Sequence, residues 1–373
     1  MAEMRIENLR HSYFPNPRGE KDYALKTTNL VWEQGLAYAL LGPSGSGKST
    51  MLNILSGLLI PSEGRILIDS RDVTPLEARD RNIAQVFQFP VVYETMTVRE
   101  NLAFPLRTRR VDPSKIKTRT EFIAEELGLT ALLDRKARSL TAEQKQRISL
   151  GRGLVRDDVA AILLDEPLTV IDPAEKMSLR RTLKAVQANL GVMLIYVTHD
   201  QHEAMTLADR VLVMDHGAVV QSGTPQELFE HPTHRFVGYF IGTPGMNFIS
   251  THLGEGGLHV GGGVLPVSPA ARKAIAAAQG KLTLGIRPDF LSIAAEVDGS
   301  AIPGRVVTIQ DHGDEKVVSI DIGRETVMAR IPSTRAVAVD DAIRLRAAPD
   351  FTRVFDGDRA IDLPTDSFEE AAS

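Results

Sequence analysis

"LAYALLGPSGSGKSTMLNILSGLL", residues 36–59, joins an apolar run, a glycine-rich turn ending in Lys-Ser-Thr, and a segment of periodic leucines. The run has the length and composition of a strand covered on both faces. After the turn, Leu52, Leu55 and Leu59 recur at helical spacing, and Gly57 and Pro61 mark that helix's end. The turn fits G-x-x-x-x-G-K-[ST] between a predicted strand and a predicted helix, the context that separates a phosphate-binding loop from a chance match. Gly42, Gly45 and Gly47 let the backbone turn its N–H groups inward around phosphate oxygens, with Pro43, Ser44, Ser46 and Thr50 completing the binding stretch. The helix beginning near Lys48 adds the positive end of its dipole. Lys48 is expected to reach the β and γ phosphates, and the Ser49 hydroxyl to ligate Mg²⁺.

Two further strand ends carry chemistry suited to such a loop. "AILLDEP" (161–167) places Asp165 and Glu166 at the end of a buried run. By itself this reads as an acidic strand terminus at the surface. Beside a phosphate loop, Asp165 is expected to hold Mg²⁺ through a water, and Glu166 to orient and deprotonate the attacking water. His199 follows "VMLIYVT" where it could touch a γ phosphate, although a lone histidine is more often structural. Gln88, in "VFQFP", could bridge Mg²⁺ and the water; an isolated glutamine has almost no specificity.

Strand-like and helical patterns alternate through residues 1–235, which argues for an α/β fold with a largely parallel sheet between helices. Between Phe104 and Gly151 the pattern is mostly helical and charged, an inserted helical subdomain spanning about 90–155. The composition changes after "HPTHRFVGYFIGTPG" (231–245), and short alternating runs such as "GRVVTIQ", "KVVSIDI" and "AIRLRAA" predict a small β domain over 236–373. The polar, acidic end "PTDSFEEAAS" is expected to fray.

Bulk numbers narrow the class. A length of 373 residues exceeds the roughly 100–200 of one domain, so two are expected. The net charge of −5 provides no basic field to steer nucleic acid. The absence of cysteine rules out disulfides and thiolate metal sites. "MAEMRIENLRHSYF" has no apolar core of the kind a signal peptide needs. Apolar runs such as 160–164 and 192–197 fall far short of the roughly 20 residues of a spanning helix. Work at a membrane would then proceed by binding other subunits.

In order and spacing these pieces resemble the ATP-binding cassette ATPases: the phosphate loop, Gln88, the stretch 139–147, Asp165–Glu166, Asp172 in "LTVIDP", and His199. The resemblance implies a P-loop NTPase core, and gives Tyr13 the place of the aromatic that stacks on adenine. Tyr13 alone reads equally as a core residue. "FQFPVVYETMTVRENLAFPL" (87–106), "GTPGMNF" (242–248), "LGIRPDF" (284–290) and "VFD" (354–356) look like the ATPase subunits of bacterial carbohydrate, polyol and glycerol-phosphate importers. In that group the C-terminal part is an oligonucleotide-binding-type (OB) β barrel used for regulation and dimer contacts. The resemblance implies ATP and Mg²⁺ at the site and two ATPase subunits closing head-to-tail on two ATPs. Its further implied partners are two membrane-spanning permease subunits and a periplasmic or extracellular substrate-binding protein. It implies a location at the cytoplasmic face of the plasma membrane. Rival readings are a regulatory, weakly hydrolysing ATP-binding subunit and a cassette ATPase without a transport role.

One stretch departs from the group. "SLTAEQKQR" (139–147) stands where the family has Leu-Ser-Gly-Gly-Gln, the signature that meets the γ phosphate of the opposite subunit. Thr141 keeps a hydroxyl and Gln144 is retained, but Ala142 and Glu143 replace both glycines. Two unit charges at 4 Å repel by about 1 kcal/mol in water and about 4 at an intermediate dielectric, so Glu143 opposes an anion unless it swings toward Lys145 or Arg147. "TAEQ" also fits a capping box, a well-capped helix start with a first-turn carboxylate favoured by the dipole. Either this is a helix terminus with a tolerated substitution, or the chain contributes a weakened half-site and favours a heterodimer with an ATPase carrying the unmodified signature.

Overall fold

The computed structural model describes residues 3–294, 301–364 and 366–368; of the tail expected to fray, residues 365 and 369–373 lie outside the described residues. The chain divides into two compact units, residues 1–225 and 226–373.

The first unit runs β1 (Glu3–His11), β2 (Leu25–Glu33), β3 (Ala37–Leu41), α1 (Lys48–Ser56), β4 (Glu63–Ile68), β5 (Arg71–Asp72) and β6 (Ile83–Val86). The helical insertion follows as α2 (Val98–Thr108), α3 (Pro113–Glu126) and α4 (Ala142–Leu154). The unit closes with β7 (Ala161–Asp165), α5 (Pro173–Leu190), β8 (Met193–Thr198), α6 (Gln201–Leu207), β9 (Arg210–Asp215) and β10 (Ala218–Gly223). The main sheet has the order β10-β9-β3-β8-β7-β6, with β9, β3, β8, β7 and β6 parallel and β10 antiparallel at the edge. Every residue of β3 and β8 is buried, as their unbroken apolar runs require. Alternation then sorts the side chains between two cores. Ile162, Leu164, Leu194 and Tyr196 join the helical insertion's core, whereas Ala161, Leu163, Met193 and Ile195 join that of α1, Ile6 and Trp32.

A second sheet, β2-β1-β4-β5, is antiparallel and was not singled out from sequence. Its strands mix buried, half-buried and exposed positions, so their apolar signal is diluted. The helix after the phosphate loop is shorter than its leucine spacing predicts. α1 ends at Ser56, where Gly57 takes φ 83° and its N–H meets the Asn53 and Ile54 carbonyls, so Leu59 packs from beyond the helix. A Cβ on Gly57 would lie 2.7 Å from Arg81 Nε. Arg81 is 2% exposed and donates to the carbonyls of Ile54 (2.6 Å), Leu55 (3.1 Å), Thr74 (2.7 Å) and Leu76 (2.9 Å), a cation on the negative end of α1.

In the second unit, strands 291–293, 342–347, 302–311, 315–321 and 326–332 form a five-stranded sheet whose first and last members lie together, nearly closing a barrel. Strands 247–250, 282–286, 353–356 and 359–360 form a second sheet, and 252–254, 257–260 and 263–265 a third. The units divide at 225/226, ten residues before the predicted boundary at 235/236. Arg287 supplies a reason: it is 1% exposed and donates to the carbonyls of Leu228, Phe229, Gly238 and Ile241, tying the segment 228–241 into the second unit. Burial draws its guanidinium down to about 10.

Candidate active site

The parallel sheet gathers the predicted residues, because β3, β8, β7 and β6 are adjacent and end on the same side. Leu41 pairs with Thr198, Asp165 with Val197, and Val86 with Leu164. The phosphate loop, His199, Asp165–Glu166 and Gln88 therefore leave four neighbouring strand ends.

The loop's glycines are sterically required at two positions. A Cβ on Gly42 would lie 2.3 Å from the Met214 carbonyl oxygen, and one on Gly47, where φ is 100°, would lie 2.6 Å from that of Ala24. At Gly45 a Cβ would meet nothing, so the middle of the loop is open. Ser46 Oγ is buried without a partner, and Lys48 Nζ donates to the carbonyls of Gly42 (2.8 Å) and Pro43 (2.9 Å). An unpaired hydroxyl and an ammonium folded onto loop carbonyls are the groups a phosphate would take over, so the loop fits a nucleotide's phosphates. Ser49 is exposed, available to a cation. Among the described residues no group of three or more His, Cys, Asp or Glu could hold a metal ion by itself; beside a nucleotide's phosphates, Ser49, Asp165 and Gln88 are the residues that would hold Mg²⁺.

Electrostatics bind the centre together. Burial pulls the Lys48 ammonium below its ordinary range, opposed by Glu166 and Asp165. Burial, then the Glu166 charge, raises the Asp165 carboxyl, opposed by Lys48. The charge on Asp165 is thus disfavoured in the nucleotide-free fold. We expect Asp165→Asn to raise the Tm of nucleotide- and Mg²⁺-free protein at neutral pH by a few degrees in scanning calorimetry; a fall would show the carboxylate to be net stabilising.

Glu166 has φ 43°, left-handed for a non-glycine residue. Its N–H donates to Val197 O (3.0 Å) and its carbonyl accepts from Thr169 N (3.2 Å) and Oγ1 (3.0 Å), which hold that conformation. Glu166 Oε1 lies 2.9 Å from His199 Nδ1; a carboxylate only accepts, so the imidazole carries its proton there. A buried residue missed from sequence builds the histidine's turn. Glu203 accepts from Tyr196 Oη (2.7 Å) and Thr198 Oγ1 (3.0 Å), with Lys176 Nζ at 3.4 Å.

Tyr13 is 62% exposed, with its hydroxyl 3.2 Å from Thr50 Oγ1, so it is not a core aromatic. Asp172 caps α5, accepting from Ala174 N at 3.0 Å. The signature turn bonds within its own helix: Gln144 N to Thr141 Oγ1 and Thr141 N to Gln144 Oε1, each 3.2 Å, a complete capping box on α4. Glu143 has swung to Arg147, whose Nε (2.9 Å) and Nη2 (2.8 Å) both meet Oε1. Lys145 instead pairs with Glu94 at 2.6 Å. Arg147 lies four residues on, over Glu143, while Lys145 at two residues on projects elsewhere.

Family models agree with this geometry. The model described as ABC transporter matches residues 25–169, that described as MalK OB fold domain matches 242–291, and that described as TOBE domain matches 284–355. The chain is 36% identical over 358 residues to the sn-glycerol-3-phosphate import ATP-binding protein of Ruegeria pomeroyi, covering 95% of this chain and 97% of that one. It is 36% identical over 361 residues to the Escherichia coli K12 protein of the same name (96% and 99% covered). It is 35% identical over 393 residues to the trehalose import ATP-binding protein of Mycobacterium tuberculosis H37Rv (97% and 98% covered). Among solved structures, cbiO1 of Clostridium perfringens, part of the ABC transporter complex cbiONQ, superposes with a TM-score of 0.56 at 29% identity, covering 61% of this chain and 90% of that one. Nucleotide loop, paired carboxylates and end-to-end similarity converge: the chain belongs to the ATP-binding cassette transporter ATPases, in the branch that carries a C-terminal OB and TOBE region.

Proposed function

We propose that this chain is the ATP-hydrolysing subunit of an importer for a carbohydrate or polyol, with the glycerol-phosphate class favoured. The observation that carries the import reading is similarity along 95–97% of the chain, C-terminal unit included, to proteins named for glycerol-3-phosphate and trehalose import. In this reading Lys48 and the amides of residues 42–50 bind the phosphates, and Tyr13 stacks on adenine. Ser49, Gln88 and Asp165 (through a water) hold Mg²⁺. Glu166 takes the water's proton, and His199 faces the γ phosphate. Thr141, Ala142, Glu143 and Gln144 face the nucleotide of the second ATPase subunit, with Asp172 beside that junction. Two permease subunits and an external substrate-binding protein complete the assembly, with this chain at the cytoplasmic face. Phe87, Phe89, Val91 and Tyr93, all at least 40% exposed beside Gln88, form an apolar row suited to a permease helix. No helix among the described residues is long and apolar enough to cross a membrane.

We further propose a heterodimer. Ala142 narrows the approach of a γ phosphate, and Arg147, shared between Glu143 and Glu175 (3.1 Å), offsets only part of the Glu143 charge. The test is ATP turnover of this chain alone and mixed with an ATPase bearing Leu-Ser-Gly-Gly-Gln, reconstituted with the permease for uptake of glycerol 3-phosphate. Turnover should be slow alone and rise on mixing, and Glu143→Gly should raise it or leave it unchanged. Full coupled turnover by the homodimer would overturn the heterodimer, and loss in Glu143→Gly would overturn the repulsion. Assembled vesicles that hydrolyse ATP yet take up neither glycerol 3-phosphate nor trehalose would overturn the substrate class.

A further inference from the structure

Gln146 lies one turn inside α4 and is fully buried. Its Nε2 donates to the Pro167 carbonyl at 2.9 Å and the Phe87 carbonyl at 3.3 Å. Pro167 follows Glu166, and Phe87 precedes Gln88. One amide thus joins the helix that begins at the signature turn to the two loops carrying the proposed base and the proposed metal-bridging glutamine. Both neighbours are carbonyls, which only accept, so the nitrogen must face them and Oε1 is left buried with no partner. A buried unpaired acceptor weakens a fold, so this glutamine is a poor choice for packing alone.

We infer that Gln146 is a positioning residue for ATP hydrolysis, keeping the Glu166 and Gln88 loops in register with α4. It touches neither nucleotide nor water; it fixes where Glu166 and Gln88 stand. Because α4 begins at Thr141–Gln144, contact with a second subunit's nucleotide at that end passes through Gln146 to the loops of this subunit's own site. The inference rests on the ATP-hydrolysis reading above.

The test is Gln146→Leu in the full chain, assayed under conditions in which the wild type turns over. Leucine fills similar volume and removes both the donor and the unpaired acceptor. We expect kcat to fall about 10- to 100-fold, as when reacting groups are misplaced by a distant change. We expect KM for ATP and affinity for a fluorescent ATP analogue to stay within about two-fold, with Tm within a few degrees, which separates lost turnover from lost binding. Gln146→Met serves if the leucine variant does not fold. A kcat within about two-fold of wild type would overturn the inference, as would parallel losses of binding, turnover and stability. Failure of both variants to fold would overturn it too, by making the residue a core element only. A wild-type chain that neither binds nor hydrolyses ATP would defeat the parent reading instead.

Discussion

Glu166→Gln is expected to lower ATP turnover by about 10²–10⁴-fold, the range a positioned general base contributes, while leaving ATP affinity within a few-fold of wild type. The substitution changes little besides proton acceptance. Gln Oε1 can still accept from His199 Nδ1, which lies 2.9 Å from Glu166 Oε1, and the left-handed backbone at φ 43° is held by a bond to the Val197 carbonyl and bonds from Thr169, none of which involves the Glu166 side chain. With Oε1 engaged by the histidine, Oε2 is the oxygen left for a water. In the proposed reaction, the water oxygen would bond to the γ phosphorus, its proton would pass to Glu166, and the bond from that phosphorus to the bridging oxygen would break, releasing ADP and phosphate. Mg²⁺, when bound, would neutralise part of the charge on the phosphates. The measurement is steady-state phosphate release beside equilibrium binding of a fluorescent ATP analogue. Turnover within about two-fold of wild type would remove Glu166 from the chemistry and with it the proposed mechanism.

What was legible in the sequence follows from how tightly each feature is constrained. A phosphate loop needs glycines where side chains would strike Met214 and Ala24, and a lysine and a hydroxyl at fixed offsets, so its chemistry appears as spacing. Strands buried on both faces appear as unbroken apolar runs, and β3, β7 and β8 did. The capping box at Thr141 is a four-residue pattern and was equally readable. Long-range pairings were not. Arg81, Arg287 and Gln146 satisfy carbonyls that lie 5–59 positions away, and arginine or glutamine in a charged helix or a short turn reads as solvated surface until the fold buries it. Whether Glu143 would face the anion or a cation was a question of rotamer, which i,i+4 geometry settles only once α4 is known to start at Ala142. The antiparallel β2-β1-β4-β5 sheet escaped because its half-exposed strands carry too few apolar residues in a row.

Lys48→Ala is expected to weaken ATP binding by about 10- to 100-fold, the effect of deleting a charge-assisted hydrogen bond of about 1.5–3 kcal/mol. Lys48 is 6% exposed, and its ammonium rests 2.8 Å and 2.9 Å from the Gly42 and Pro43 carbonyls. A triphosphate offers stronger acceptors than those carbonyls and carries the opposite charge, so binding draws Nζ outward and relieves the charge that burial disfavours. The sign of a pH effect follows. Burial lowers the lysine's pKa in the nucleotide-free fold, so the folded state holds this proton less tightly than the unfolded chain. The penalty for folding around a charged Lys48 is complete below the folded pKa and lifts as pH rises through it. Nucleotide-free wild type should therefore gain stability toward alkaline pH relative to Lys48→Ala, while its ATP affinity declines over the same interval as the ammonium is lost. Calorimetric ATP titrations of both proteins across that interval, with Tm recorded at each pH, measure the two trends together. An affinity for ATP in Lys48→Ala equal to wild type at neutral pH would mean that the amides of residues 42–50 grip the phosphates unaided. The lysine would then have to earn its burial among Asp165 and Glu166 in the transition state alone.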